Sequence, residues 1–197
     1  MNGSNLSLAL ALAVVAAGCA QAPKVDVDAA QHALEDARMA KAPDYAPEAW
    51  NAAQDAEAKL QAELDAQQKT WAVARSYSTA RQLAVVAKDQ AEKAAQDAVA
   101  GKEKAKADAT TLMAQARDQA KLANDAVAAA PRGKSTEADL ASLKSDSTAI
   151  GTTLDEMQKA FDGGDYVGAK SKAQAAIDAA KQIQNEVEQA RTRRRAA

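Results

Sequence analysis

Few side chains in this sequence could carry out chemistry. The chain has one cysteine, Cys19, and one histidine, His32. One residue of each type cannot supply the His and Cys ligands of a zinc site, and a serine or cysteine nucleophile needs a base beside it. Neither a phosphate-binding loop nor a dinucleotide-binding fingerprint occurs in the sequence. His32 is expected to be solvated on a helix. We therefore predict no catalytic residue, no metal site and no dissociable cofactor.

Cys19 follows an apolar N-terminal segment. Residues 6–17 are an uncharged run of 12, too short to span a bilayer as a helix and typical of the core of an export signal. The run leads into Val-Ala-Ala-Gly-Cys at 15–19, which resembles the lipobox of bacterial lipoproteins, where the cysteine thiol accepts diacylglycerol. We predict a signal peptide at 1–18 and covalent lipid at Cys19. The alternatives are cleavage after Ala20, giving a soluble periplasmic protein, and an uncleaved anchor.

Acylation would also account for a single cysteine in an exported protein, because one cysteine cannot form an internal disulfide. By resemblance to enterobacterial sorting signals, Ala20 after the cysteine implies transfer to the outer membrane of a Gram-negative bacterium, facing the periplasm. Residues 19–25 are then predicted to be a short tether between the lipid and the folded part.

The composition is typical of long helices. Alanine supplies 55 of the 197 residues, whereas Leu, Ile, Val and Phe together supply only 28. Disordered chains are also poor in bulky apolar residues, but they normally carry a large net charge, and here it is −2. The same balance offers no basic surface for nucleic acid, so no such partner is expected. We predict an all-α fold, an elongated antiparallel bundle or coiled coil of alanine-rich helices.

Prolines and glycines divide the remaining chain into five predicted helices, with stops at Pro43, near Ser76, at Pro131 and at Gly163. Each helix carries small or apolar residues at spacings of three and four, and such a stripe must face another helix. The third helix, residues 77–130, would be about 81 Å long. Gly101 lies on its alanine stripe, where this helix could bend or break.

The landmarks recur about 90 residues later. Bulky residues of one predicted helix share their spacing with those of another: Trp50, Leu60, Leu64 and Trp71 against Leu140, Ile150, Leu154 and Phe161. Tyr77 and its alanines match Tyr166 and its alanines, and Leu34 with Pro43 matches Leu122 with Pro131. We predict two tandem three-helix units, 26–104 and 105–190, which share one long helix and precede a basic tail at 191–197.

Aromatic residues fall near the predicted helix ends, where one ring can close the end of a thin bundle. These structural aromatics are Trp50, Trp71, Tyr77, Phe161 and Tyr166. If Trp71 is buried, Trp71→Ala should cost about 3 to 5 kcal/mol. The alternative interpretation is a ligand-stacking site.

The last helix ends in a group of positive charges, Arg191, Arg193, Arg194 and Arg195. One interpretation is structural, because cations complement the negative end of a helix dipole. The other is a binding surface for anionic lipid headgroups, lipopolysaccharide or cell-wall polymers.

Residues 45–48, Tyr-Ala-Pro-Glu, precede an Ala/Leu stripe and the sequence Ser-Tyr-Ser-Thr-Ala at 76–80. This order resembles a family of small bacterial envelope lipoproteins known as domain of unknown function 4398. Gly-Asp-Tyr at 164–166 also resembles the turn that leads into alanine-rich repeats in that family. The likeness is best over residues 26–100. It implies an envelope location and a helical fold, and it transfers no catalytic residues.

These features together predict a non-enzymatic periplasmic lipoprotein, anchored in the outer membrane, that acts as a helical spacer or interaction scaffold in the cell envelope. The expected partners are the membrane, through the lipid, and an envelope protein or the cell wall. The sequence leaves the oligomeric state open, since another copy of the chain could complete an alanine stripe and form a homo-oligomer. The alternative is a soluble chaperone-like or ligand-binding module that holds its ligand in a cleft between the two units.

Overall fold

The computed structural model describes residues 21–130 and 137–196, and most of this part of the chain is helical. The helices are α1 (Lys24–Met39), α2 (Ala42–Tyr45), α3 (Pro47–Lys69), α4 (Ser78–Ala128), α5 (Glu137–Asp162) and α6 (Tyr166–Ala196), with a 3₁₀ turn at Ala72–Ala74. No strand occurs in the described ranges, and the helices pack on one another. The predicted all-α helical bundle is confirmed.

The longest element, α4, is shared by both halves of the molecule. It has 51 residues, a length of about 77 Å. Its first half packs against α1 and α3, and its second half packs against α5 and α6. The helix continues through Gly101 without a break. One rigid element therefore connects two helical units.

In each unit, the first and third helices are parallel, and the second is antiparallel to both. In the first unit, Arg81 Nε lies 3.4 Å from Asp26 Oδ2, which places the start of α1 beside the start of α4. α3 runs the other way, because Trp50 near its start belongs to the same buried cluster as Ala98 of α4. In the second unit, α6 is parallel to α4, because Lys170 pairs with Asp108 and Arg191 contacts Ala129. α5 is antiparallel to both, because Arg117 and Asn124 of α4 bond to Gln158 and Ser147 of α5 in the reverse order.

The two units bury the same positions. A shift of 90 residues takes Ala30, Ala33 and Ala37 of α1 onto Ala120, Ala123 and Val127 of α4, and all six are buried. A shift of 89 takes the buried alanines of the first half of α4 onto buried residues of α6: Ala80, Ala84, Ala87 and Ala91 onto Ala169, Ala173, Ala176 and Ala180. Leu34 and Leu122, which were paired at a shift of 88, differ in burial. Leu34 is partly buried, whereas Leu122 is half exposed.

The core consists mainly of alanine. Leu60, Met157 and Val187 are the largest fully buried side chains among the described residues. On α5 the deepest positions are Leu143, Ile150 and Met157, seven residues apart. Leu140, Leu154 and Phe161, which were predicted for this stripe, are only partly buried beside it. Small side chains let helix axes approach closely, so both units are thin.

The chain leaves a helix earlier than predicted at one place and forms an additional helix at another. α3 ends at Lys69, and residues 70–77 form a loop that contains the 3₁₀ turn. α2 is a four-residue helix between α1 and α3 that starts after Lys41, a residue in the left-handed conformation. No described helix is long and apolar enough to cross a membrane.

Candidate functional site

The described residues do not converge on a chemical site. Within residues 21–130 and 137–196, no group of three or more His, Cys, Asp or Glu side chains could hold a metal ion. His32 is exposed on α1. The features that could bind a partner lie at three levels of the rod. These are the proximal end (the start of α1 and loop 70–77), the junction of the two units, and the distal end (the end of α6).

Cys19 and the predicted signal peptide lie outside the described residues. The predicted tether, residues 19–25, overlaps the first turn of α1. α1 begins at Lys24, Pro23 is buried, and the Pro23 carbonyl accepts a hydrogen bond of 3.0 Å from the Val27 N–H. Cys19 is therefore only four residues from a residue that is packed into the first unit.

Loop 70–77 at the proximal end is held by its own hydrogen bonds. The Arg75 guanidinium donates to the carbonyls of Thr70 at 2.9 Å and of Gln68 at 3.1 Å. The Ser76 N–H donates to the Gln67 side-chain oxygen at 2.9 Å. These bonds satisfy the carbonyls and side chains that α3 leaves at its C-terminus, so the helix ends before Trp71.

Trp71 does not close the bundle. Its side chain is 84% exposed, and Val73 in the same loop is 92% exposed. The predicted structural role of Trp71 is wrong, and burial of its indole, the condition for the expected cost of Trp71→Ala, is not met. Tyr77 is buried instead, in a cluster with Leu60 and Ala80. The physical reason is the early end of α3, which carries Trp71 out of the helical stripe.

Trp50 lies in the core of the first unit. It is buried among alanines of α1 and α4, and the Arg38 guanidinium lies 5.9 Å from the centre of its ring. The guanidinium lies over the ring, in the arrangement of a cation-π contact. The surroundings of Trp50 leave no open face on which a ligand could stack.

The junction is built on Tyr45, at the end of α2. Its hydroxyl donates to the Gly164 carbonyl at 3.0 Å and accepts from the Tyr166 N–H at 3.3 Å. Tyr166 packs on Phe161 with ring centres 5.2 Å apart, and Lys106 lies 6.0 Å above the Tyr166 ring. One side chain of the first unit therefore binds the α5–α6 turn of the second.

Gly101 makes the approach of α2 to α4 possible. A Cβ atom built on Gly101 would lie 2.0 Å from the Tyr45 carbonyl oxygen. The region between the units, where a ligand cleft was the alternative prediction, contains this contact and the Tyr45 hydrogen bonds. The junction was not predicted from the sequence, although Gly101 was a signal for it, because a glycine inside a helix often marks a close backbone approach.

The arginines at the distal end divide into two groups. Arg191 donates to the Ala129 carbonyl at 3.4 Å and pairs with Glu188 at 3.5 Å, so it caps the C-terminus of α4. Arg193, Arg194 and Arg195 are exposed on the last turns of α6. Arg193 donates only to the Gln189 carbonyl of its own helix, at 3.4 Å. The exposed basic surface therefore consists of these three arginines, whereas Arg191 joins α6 to α4.

Two ion pairs attach α6 to its neighbours. Lys170 Nζ lies 2.9 Å from Asp108 Oδ2 on α4, and Lys172 Nζ lies 2.5 Å from Glu156 Oε2 on α5. The hydrogen bond from each lysine lowers the pKa of the carboxyl group that accepts it. On α4, the hydrogen bond to Glu92 raises the pKa of Lys88. All of these groups are at the surface, which is the expected pattern for a solvated helical rod.

Comparisons with known proteins were made against family models, characterised proteins and solved structures. None of them matches this chain. A function therefore has to be inferred from the N-terminal sequence and from the geometry of the described residues.

Proposed function

We propose that this protein is a non-enzymatic lipoprotein of the bacterial cell envelope. Cys19 would carry the lipid that anchors it in the periplasmic leaflet of the outer membrane. The folded part would act as a rigid spacer that presents its distal end to a cell-wall polymer or to an envelope protein. The resemblance to the lipoprotein family of unknown function is compatible with this proposal.

The sequence at 15–19 is the observation that carries the anchoring step. Val-Ala-Ala-Gly-Cys follows an apolar run of export-signal length, and Cys19 is the single thiol of the chain. The fold agrees with an anchor at this point, because α1 begins at Lys24 and runs away from the proximal end. A lipid on Cys19 would hold that end of the rod near the bilayer.

The continuous α4 supports the spacer. Its first turn lies at the proximal end, and its last turn contacts Arg191 near the end of α6, so the two ends of the rod are separated by about 77 Å. Arg193, Arg194 and Arg195 lie at the far end. In an upright anchored protein these arginines cannot reach the leaflet that holds the lipid, which favours a cell-wall or protein partner over the headgroups of that leaflet.

Labelling of cells with radioactive palmitate tests the anchor. We expect the wild-type protein to incorporate label and to sediment with outer membranes, and Cys19→Ala to be unlabelled. Ser7→Ala, a leader substitution outside the motif, should be labelled normally. An unlabelled, soluble wild-type protein would contradict the anchor and would favour the periplasmic chaperone-like alternative.

Small-angle scattering tests the spacer. The maximum dimension should reach at least about 77 Å, the length of α4 alone. A value near 50 Å would show a compact molecule and would exclude the spacer.

Co-sedimentation with purified peptidoglycan tests the distal end. Replacing Arg193, Arg194 and Arg195 with Gln should reduce binding, and the loss should shrink as salt increases. Arg191 is kept in this variant because it caps α4. Binding that is unchanged by the replacements would exclude the arginines as the contact.

A further inference from the structure

The proximal end exposes large apolar side chains that have no cover within the described residues. Trp71 and Val73 project from loop 70–77, and Val25 is exposed on the first turn of α1. Scattered exposed apolar residues are common, but an exposed tryptophan beside an exposed valine on one short loop is a typical feature of a binding surface. We call Val25, Trp71 and Val73 the apolar tip.

The conformation of this loop is fixed rather than frayed. The Ala74 N–H donates to the Trp71 carbonyl at 2.8 Å in the 3₁₀ turn, and the Thr70 hydroxyl donates to the Ala66 carbonyl at 2.9 Å. Together with the Arg75 bonds to the end of α3, these contacts hold the backbone on both sides of Trp71. The loop therefore presents Trp71 and Val73 outward in a defined arrangement.

The corresponding position in the second unit is covered by other residues. A shift of 90 residues takes Trp71 onto Phe161, and a shift of 89 takes Tyr77 onto Tyr166. Phe161 is partly buried and packs on Tyr166, and Tyr45 of the first unit binds that turn. In other words, the end of the second unit is covered by the first unit. The same end of the first unit is the end of the rod, so a cover there must come from outside the described residues.

The position of the N-terminal segment identifies that cover. Residues 1–20 join the fold at the apolar tip, since Pro23 is buried and α1 starts at Lys24. Three residues lie between Cys19 and Pro23, so their Cα atoms are at most about 14 Å apart in an extended chain. Lys24 and Lys69 are exposed at this end of the rod, and Lys24 pairs with Asp28 at 2.9 Å. Tryptophan favours the interface between water and hydrocarbon.

We propose that the apolar tip inserts into the interfacial region of the bilayer to which the protein is anchored. This inference rests on the proposed lipid anchor. The acyl chains on Cys19 and the indole of Trp71 then form two separate contacts with the membrane. Two contacts fix the direction of the rod axis, whereas a lipid on a flexible segment alone would leave the rod free to tilt. The membrane contact thus orients the distal arginines away from the bilayer.

Quenching of tryptophan fluorescence by brominated lipids tests the insertion. The chain from Cys19 onward is coupled through its single thiol to a maleimide lipid in phosphatidylcholine vesicles, so the anchor does not depend on acylation in cells. The two tryptophans of the chain differ in location. Trp50 is buried about 29 Å along the axis of α3 from the loop, and Trp71 is exposed at the tip.

We expect the emission of the anchored protein to shift to shorter wavelength and to lose a large component when the acyl chains are brominated. Trp71→Phe retains only Trp50 and should show neither change. Trp50→Phe retains only Trp71 and should show both, provided that circular dichroism confirms its helical content. If Trp50→Phe unfolds, the difference between the wild type and Trp71→Phe gives the same information.

Equal emission of the Trp71 component in brominated and unbrominated vesicles would overturn the proposal. A Trp71 component that is shifted but unquenched, with twice the monomer mass in light scattering, would assign the tip to a second copy of the chain and would also overturn it. Failure of palmitate labelling in cells leaves this readout unaffected, so the two proposals can fail independently.

Discussion

The contribution of a core residue to the stability of this protein depends on the size of its side chain. Alanine packs the helices closely and loses no side-chain entropy, but each one buries little area. Most of the apolar area of each unit must then come from a few side chains, such as Trp50 and Leu60 in the first unit and Met157 in the second. Truncating one of these should have an effect out of proportion to its number of atoms.

The two tryptophans allow a buried and an exposed indole to be compared in one protein. Trp50→Ala should lower the free energy of unfolding by about 3 to 5 kcal/mol, because it removes a buried ring from a thin core. Trp71→Ala should change it by no more than about 0.5 kcal/mol, because the indole is exposed. Urea denaturation followed by circular dichroism measures both. Equal destabilisation by the two variants would contradict the burial described for Trp50 and Trp71.

Two helical glycines provide a second pair. Gly101→Ala places a methyl group against the Tyr45 carbonyl, so we expect it to destabilise the protein by about 1 to 3 kcal/mol. Gly151→Ala adds a methyl group where no atom lies within 4 Å, and it should stabilise α5 by about 0.5 to 1 kcal/mol. Thermal unfolding of both variants measures the two effects. Stabilisation by Gly101→Ala would show that α2 does not approach α4 this closely.

At the scale of elements, local signals in the sequence determine most helix starts. Pro47 begins α3, Tyr166 follows the Gly-Gly-Asp turn and begins α6, and alanine spacing predicts which face of α4 is buried. The end of α3 could not be predicted in this way. It depends on Arg75 reaching back to carbonyls of residues 68 and 70, a contact that forms only when the loop is folded.

The candidate site was predictable only in part, because it too depends on contacts that form only when the chain is folded. A capping arginine and a free arginine look alike in sequence, so the role of Arg191 emerges from its distance to the Ala129 carbonyl. Tyr45 and Gly164 are 119 positions apart, and no spacing rule relates them. Lipid attachment at Cys19 stays a prediction from sequence, because that residue lies outside the described ranges.

The ion pairs of α6 predict a dependence of stability on pH. A carboxyl group whose pKa is lower in the folded state stabilises the fold above its unfolded pKa, and this contribution is lost as the pH falls through the folded pKa. The pKa values of Asp108 and Glu156 are lowered by Lys170 and Lys172. We therefore expect the Tm to fall as the pH drops below about 4.

Substitution of both acids, Asp108→Asn with Glu156→Gln, should make that fall shallower than in the wild type. Asp55→Asn, on the exposed face of α3, removes a charge outside these pairs and serves as the control. Because the pairs are at the surface, the difference should be small and should diminish in high salt. Thermal unfolding across the acid range measures it. Parallel curves for the double variant and the wild type would assign the acid sensitivity to other groups.

The whole molecule has two different ends although its two units repeat one pattern. In the second unit the turn before the third helix is covered by the first unit, and in the first unit the corresponding loop is exposed at the proximal end. The distal end carries the exposed arginines. In the proposed function, a rod with an apolar tip at one end and positive charge at the other would bridge two surfaces. This requires the junction to hold the two units in a fixed relative orientation.

Tyr45→Phe tests that transmission. The ring stays, but the Gly164 carbonyl and the Tyr166 N–H lose their shared partner, which should cost about 0.5 to 1.5 kcal/mol. If the hydroxyl couples the units, amide exchange at Tyr166 should accelerate, and unfolding of the second unit should begin before that of the first. Tyr77 is the residue of the first unit that corresponds to Tyr166. Tyr77→Phe removes a hydroxyl away from the junction and should leave exchange at Tyr166 unchanged. Unaltered exchange in Tyr45→Phe would mean that α4 alone keeps the two units aligned.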